Sequence, residues 1–409
     1  MNPILRRGFP TLGSGEKAIW VYSFFDDLSN MAKSGFFVHV CWKVVKVWQM
    51  IGNDLPARQA FRVTKGTVVA RRLAGVRRMD LVRTTNVLVS SSAAATGSHI
   101  IPSEDVDRAF GMPVGKLRAR AGIGSLTYAA DGESELTLGT RAAQEALRTS
   151  GCSAQQLDWI IATSETHRDY PSLAAQLHSR LLLREDCAAL DVGGACLGLL
   201  NALAVAQALV ASGQAQLVAV ATADVHSRTL TPGRVAGEFG GLFGDGASAF
   251  VLRRAGGDTG ESYRLGDFLF GCAGQYAAAI QISSTTEGGL DVKFDGEALS
   301  RAAITRMEKV LGAVELRSGI SRASVGAFAT HQPNPRLVTL LAKQCGVSAD
   351  KFPPIAQTCG NLGSSTCGAA LHQALQIASK LPATARRPIF LASLGPGLLF
   401  GGGWLTPHT

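Results

Sequence analysis

The stretch Leu197–Ala211 constrains the fold more than any other part of this 409-residue chain. It is apolar almost all round and carries no charged residue. A helix of that kind has no face to turn to water, so it must be buried. That requires a large core, and 409 residues are enough for two domains or for one large duplicated domain.

Strands and helices alternate around this helix. Gln156–Thr163, Ala188–Val192, Gln216–Thr222 and Ala249–Leu252 are predicted strands. In the second half Val325–Thr330 and Pro388–Ser393 read as strands, and Gly368–Ser379 reads as an apolar helix after a Gly/Ser-rich turn. The alternation indicates α/β architecture. Both halves place a loop of small residues before a central apolar helix, which suggests an internal duplication with a long period. The boundary falls near residues 254–262, giving an N-terminal half at 79–256 and a C-terminal half at 257–409. The 46 glycines, with 46% apolar and 17% charged residues, fit a compact enzyme with many tight turns.

Residues 1–78 differ from the rest. They hold 13 of the 40 Lys and Arg but 4 of the 31 Asp and Glu, so the net charge of +9 resides there and the body is balanced. No broad electrostatic footprint for nucleic acid is expected. The apolar run Phe36–Ile51 is interrupted by His39, Lys43 and Lys46, and is too short and too charged for a transmembrane helix. No secretory signal is read. The segment is either a basic amphipathic stretch that touches a membrane surface, or the product of a translation start assigned too early, with Met79 opening the body. The second reading makes 1–78 a non-native or disordered extension. The eight cysteines form no CxxC pair, which gives no pattern for a metal site or a disulfide scaffold, and a reducing cytoplasm is the default location.

Three short segments carry candidate chemistry. In Asp191-Val192-Gly193-Gly194-Ala195-Cys196-Leu197-Gly198, small residues surround one cysteine between a strand and the buried helix. The free N–H groups and dipole at the helix start favour a thiolate, which can accept an acyl group. An inert core cysteine is the alternative. In Thr330-His331-Gln332-Pro333-Asn334-Pro335-Arg336, a histidine at a strand end can donate or accept near neutral pH, or serve only as a structural partner. In Thr358-Cys359-Gly360-Asn361-Leu362-Gly363, Gly360 allows a sharp turn and Asn361 presents an amide, although ordinary turn chemistry uses the same residues.

Together, in the order Cys196, His331, Asn361, these segments resemble the β-ketoacyl-acyl-carrier-protein synthase III family over roughly residues 85–407. Phe243-Gly244-Asp245-Gly246-Ala247 looks like that family's FGDGA turn, His331 to Arg336 resembles its HQxNxR motif, and Gly360-Asn361 matches its GN turn. Gly395-Pro396-Gly397 looks closer to the loop of plant-type polyketide synthases. The resemblance implies a thiolase-like fold, a duplicated five-layer α/β/α/β/α architecture, and a homodimer with no cofactor beyond the phosphopantetheine or coenzyme A on its substrates.

It also implies two half-reactions. Cys196 takes an acyl group from a thioester primer. Malonyl on acyl carrier protein then loses CO2, and the carbanion attacks the acyl-Cys. His331 and Asn361 would donate to the thioester oxygen without adding a negative charge nearby. The Cys196 N–H and an N–H of the Gly395–Gly397 loop would form a second oxyanion hole. Arg120 and Arg228 match contacts to coenzyme A, and Arg336 closes the histidine motif. The family's stacking Trp is replaced by Lys116, which argues against acetyl-CoA as primer and leaves an acyl chain on carrier protein as an option. Tyr170 matches a residue that crosses the dimer interface and limits acyl length. Glu165 is read either as a base or, preferentially, as a surface partner of Arg168 at that interface.

Rival readings are a starter enzyme of polyketide or other secondary metabolism, an acyltransferase without condensation, and a non-catalytic partner subunit. Retained Cys196, His331 and Asn361 argue for condensation. A biosynthetic thiolase would carry a second cysteine near Leu391-Ala392-Ser393-Leu394-Gly395-Pro396-Gly397, which has none.

Overall fold

The computed structural model describes residues 86–256, 262–285 and 290–408. The extension at 1–78, the start at Met79 and part of the expected boundary at 254–262 lie outside the described residues.

Ten strands form the main sheet: β1 (Val87–Thr96), β2 (Trp159–Thr163), β3 (Ala188–Asp191), β4 (Leu217–Val225), β5 (Asp245–Arg254), β6 (Tyr263–Leu265), β7 (Leu269–Cys272), β8 (Ala327–Thr330), β9 (Ile389–Gly395) and β10 (Leu399–Pro407). Their order is β8-β9-β10-β6-β1-β5-β4-β2-β3, with β7 also pairing β10. The duplication is written in the pairing. In the first half β2 runs parallel to β4, β4 antiparallel to β5, and β5 antiparallel to β1. In the second half β8 runs parallel to β9, β9 antiparallel to β10, and β10 antiparallel to β6 and β7. The predicted strands are present, and β4 and β5 extend beyond their expected spans. The sequence reading did not identify β1, β6, β7 or β10.

The buried helix is α2 (Gly198–Ser212), which follows α1 (Glu135–Ser150). Leu199, Leu200, Ala202, Leu203, Ala206 and Val210 of α2 are fully buried. Burial of each leucine there contributes about 1.5–3 kcal/mol. Its partner is α5 (Ser365–Ser379), the matching helix of the second half, and both share one core with the inner faces of the sheet strands. A helical stretch at Ala195–Ser212 is long and apolar enough to cross a membrane, but here it is this core helix. On one outer flank α1 and the helix Leu173–Arg180 pack against β2, β4 and β5. On the other, α3 (Gly296–Ser318) and α4 (Pro335–Cys345) pack against β8, β9 and β10. Outer helices, one half of the ten-stranded sheet, the paired central helices, the other half of the sheet and outer helices make up the five layers of a thiolase-like fold.

Local signals set the helix ends that matter for the site. Ser134 and Thr137 form a capping box at the start of α1. Asn334 caps α4 by accepting the Leu337 N–H at 3.0 Å, and Pro335 fills the first helical position. The histidine motif is thus a strand end followed directly by a helix start.

Candidate active site

Equivalent parts of the two repeats supply the functional groups. Cys196 lies in the turn that leads into α2, and Asn361 lies in the turn that leads into α5. Glu165 lies two residues past the end of β2, and His331 lies immediately past the end of β8. Strand β4 runs into Asp224 and His226, and β9 runs into the Gly395–Gly397 loop.

Cys196 sits on a single tight turn, Ala195–Leu197. Ala195 before it has φ of +47°, a left-handed conformation that costs a non-glycine residue roughly 1–2 kcal/mol. Two features hold the turn. Ser393 of β9, fully buried, donates its hydroxyl to the Cys196 carbonyl at 2.6 Å. Gly395 presses against the same turn, and a Cβ on it would stand 2.7 Å from the Gly194 carbonyl and 3.7 Å from the Cys196 nitrogen. The expectation that the helix start makes Cys196 a thiolate is corrected here. Burial pushes its thiol well above the usual cysteine range, and the negative charge of Glu165 pushes it further. A buried sulfur beside a carboxylate loses more by ionising than the helix dipole returns.

Asn361 is held through both backbone and side chain. Its N–H donates to the Leu242 carbonyl at 2.8 Å, and its carbonyl accepts the Gly244 N–H at 3.0 Å. The FGDGA turn is therefore a clamp on the asparagine. Gly244 must be glycine, because a Cβ there would lie 2.0 Å from the Cys359 carbonyl. The side-chain Oδ1 accepts the Gly363 N–H at 3.0 Å and the Thr366 hydroxyl at 3.1 Å. Those two bonds fix the amide orientation and turn Nδ2 the other way, as a donor. His331 is fixed by its N–H, which donates to Ala392 at 3.0 Å. It is 4% exposed, and burial lowers it to about 4, with the Glu165 charge opposing, so the ring is neutral at pH 7. Gln332 braces the approach to Asn361 by donating to Pro353 at 2.6 Å and accepting the Ala356 N–H at 3.1 Å.

Glu165 overturns the preferred surface pairing. It turns inward while Arg168 is exposed, and its Oε2 stands 3.6 Å from Nε2 of His226. Burial opposes the carboxylate's charge, but His226 outweighs it and holds Glu165 below its usual range. Burial would likewise lower His226, yet Glu165 and then Asp224 lift it to about 9. Asp224 is raised to about 6 by burial and by the neighbouring Glu165 charge. Its carboxylate accepts the Glu165 N–H at 2.6 Å and the hydroxyls of Ser164 at 3.2 Å and Ser364 at 2.6 Å. Sequence reasoning missed His226 and Asp224. The available signal was two polar residues at the end of the apolar run Leu217–Val225 and just beyond it.

The remaining candidates are peripheral. Arg120 is exposed on the helix Lys116–Ala121. Arg228 donates to the Ala130 carbonyl at 3.0 Å, and Arg336 donates to the Ala119 carbonyl. Lys116 forms an ion pair with Glu238. Tyr170 is 97% exposed. Gly397 has φ of +110°, which glycine tolerates and other residues rarely adopt.

A thiol that interacts with an anionic carboxylate, together with a neutral imidazole and an oriented amide, suits acyl transfer followed by chemistry through an enolate. Comparison with known proteins agrees. Residues 190–274 match the family model for 3-oxoacyl-[acyl-carrier-protein (ACP)] synthase III, and residues 316–406 match the model for its C-terminal part. The chain is 31% identical over 280 residues to the β-ketoacyl-[acyl-carrier-protein] synthase III of Ruegeria pomeroyi, covering 66% of this chain and 84% of that one. The fold superposes on 3-oxoacyl-[acyl-carrier-protein] synthase III from Aquifex aeolicus with a TM-score of 0.69 and 25% identity, covering 78% of this chain and 99% of that one. OleA of Xanthomonas campestris shares the fold, with a TM-score of 0.70 at 19% identity, covering 79% of this chain and 99% of that one.

Proposed function

The chain belongs to the β-ketoacyl-[acyl-carrier-protein] synthase III family, and on that premise we propose that Cys196 carries the acyl primer while His331 and Asn361 stabilise the enolate of the extender. Membership makes it a condensing acyltransferase of fatty acid biosynthesis. The assignment of roles rests on one observation above the others. Asn361 has its Oδ1 occupied by Gly363 and Thr366, so its NH2 is preset as a donor, and His331 is neutral. Preorganised neutral donors stabilise the charge that develops on the thioester oxygen as malonyl loses CO2. The Cys196 N–H and the Gly395–Gly397 loop serve the tetrahedral adduct at Cys196.

The primer arrives on acyl carrier protein. Four observations support this over coenzyme A. Lys116 is engaged by Glu238, Arg228 by the Ala130 carbonyl and Arg336 by the Ala119 carbonyl, and no aromatic face stands at Lys116. Tyr170, a large side chain 97% exposed, supports a homodimer in which this residue reaches the partner's acyl pocket. The enzyme works in the cytoplasm, needs no metal or resident cofactor, and binds no nucleic acid. Incubation with malonyl-carrier protein and a panel of acyl thioesters, followed by weighing the Cys196 peptide and the product, tests the reading. We expect acyl mass on Cys196 and a β-ketoacyl product. A panel that leaves Cys196 unmodified rejects it.

A further inference from the structure

Among the described residues, Glu165 is an ionised side chain that interacts with the Cys196 thiol and that the condensation steps above leave unused. Its Oε1 is shielded from solvent and has no hydrogen-bond partner among the described residues, and the Cys196 thiol is among the groups that interact with the carboxylate. Its Oε2 faces His226, whose Nδ1 in turn faces the Gly244 carbonyl at 3.3 Å. An imidazolium placed this way offers one N–H to the carbonyl and the other to Glu165. Asp224, the second carboxylate, is already committed to the Glu165 N–H, Ser164 and Ser364, so it braces the loop and is not available to the sulfur. Space for the cluster depends on Gly363. A Cβ there would lie 2.5 Å from His226 Cε1, 3.0 Å from Asp224 Oδ2 and 3.0 Å from Glu165 Oε1.

We propose that Glu165 is a catalytic base for the first half-reaction, taking the Cys196 proton during acyl transfer, with His226 as the positioning residue that holds its carboxylate. The proposal rests on the reading of Cys196 as the acyl-carrying nucleophile. The step balances without any oxidant or reductant. As Sγ of Cys196 forms a bond to the acyl carbon, its proton passes to the Glu165 carboxylate. The tetrahedral adduct then collapses, the bond to the carrier's sulfur breaks, and Glu165 returns the proton to that sulfur. Burial explains the need for a base, since a thiol held well above its usual range supplies almost no thiolate at neutral pH. The groups that face Glu165 are Cys196, His226, Asp224 and His331, and His226 is the cationic one.

Single-turnover acylation, read from the mass of the Cys196 peptide, tests this alongside the ultraviolet absorbance of the Cys196 thiolate. Glu165→Gln is expected to slow acylation by about 10²-fold or more. The same variant should lower the pH at which the thiolate appears, because the adjacent negative charge is gone. A merely structural role would not separate the two readouts in that way. Glu165→Asp keeps the charge and retracts the oxygen, so acylation should slow while the thiolate still titrates high. His226→Gln should move the acid limb of the acylation rate to higher pH, because Glu165 loses the cation that holds its proton off. Acylation of Glu165→Gln within about threefold of wild type, with an unchanged pH profile, overturns the proposal. Wild-type protein that never acylates Cys196 removes the nucleophile reading, and this proposal with it.

Discussion

The two repeats place different chemistry at matched positions. Past β2 stands Glu165 in the first repeat and past β8 stands His331 in the second, and before each central helix stands Cys196 or Asn361. The first repeat carries charge: Glu165 below its usual range, His226 lifted to about 9 and Asp224 at about 6. The second is neutral, with His331 lowered to about 4 and an amide at Asn361. Breaking and making the thioester at sulfur needs proton transfer, which a charged cluster can perform. Decarboxylation develops an enolate, which neutral donors stabilise without a nearby anion to oppose it. The duplicated scaffold thus aims two chemically distinct surfaces at one point.

That contrast can be broken most severely at the nucleophile. Cys196→Ala should reduce acyl-enzyme formation and turnover to background, measured by mass of the peptide and by product. Removing a donor of the second repeat should split the half-reactions. Asn361→Ala or His331→Ala is expected to slow condensation by about 10²–10³, while single-turnover acylation of Cys196 stays close to wild type. Equal loss in both half-reactions would mean that the repeats do not divide the work.

The electrostatic difference should also appear in stability against pH. His226, raised from 6.5 to about 9, contributes stability that is complete below 6.5 and is lost as pH rises through about 9. His331, lowered from 6.5 to about 4, contributes stability that is present above 6.5 and is lost as pH falls through about 4. Asp224, raised from 3.8 to about 6, works against His331, since its contribution is complete below 3.8 and is lost as pH rises through about 6. Melting temperature across pH should show His226→Gln flattening the alkaline limb and His331→Gln flattening the acid limb. Changes on the same limb would contradict the division. The smallest expected effect is at the seam. Gly363→Ala, at φ of +58° and with its Cβ driven toward His226, should cost more than about 1 kcal/mol in denaturant unfolding. It should also disturb acylation more than condensation if it acts through Glu165.

Much of the architecture was legible in the chain itself. The uncharged run Leu197–Ala211 required a buried helix, and the small-residue loops before it and before Gly368–Ser379 indicated a repeat. The three motif segments identified Cys196, His331 and Asn361, because tight turns around a reactive group restrict residue type locally. Short or broken strands such as β6 and β7 were not legible, since three or four residues carry too little periodicity. The charge state of the centre was invisible for a different reason. Whether Glu165 meets Arg168 in water or His226 in the interior depends on which way one loop turns, and whether Cys196 is thiol or thiolate depends on the carboxylate brought beside it. The sequence by itself determined which reactive groups the protein has and the repeat that carries them. Only the tertiary structure decided their protonation, because burial and the distance between residues far apart in the chain set the energy of each charge.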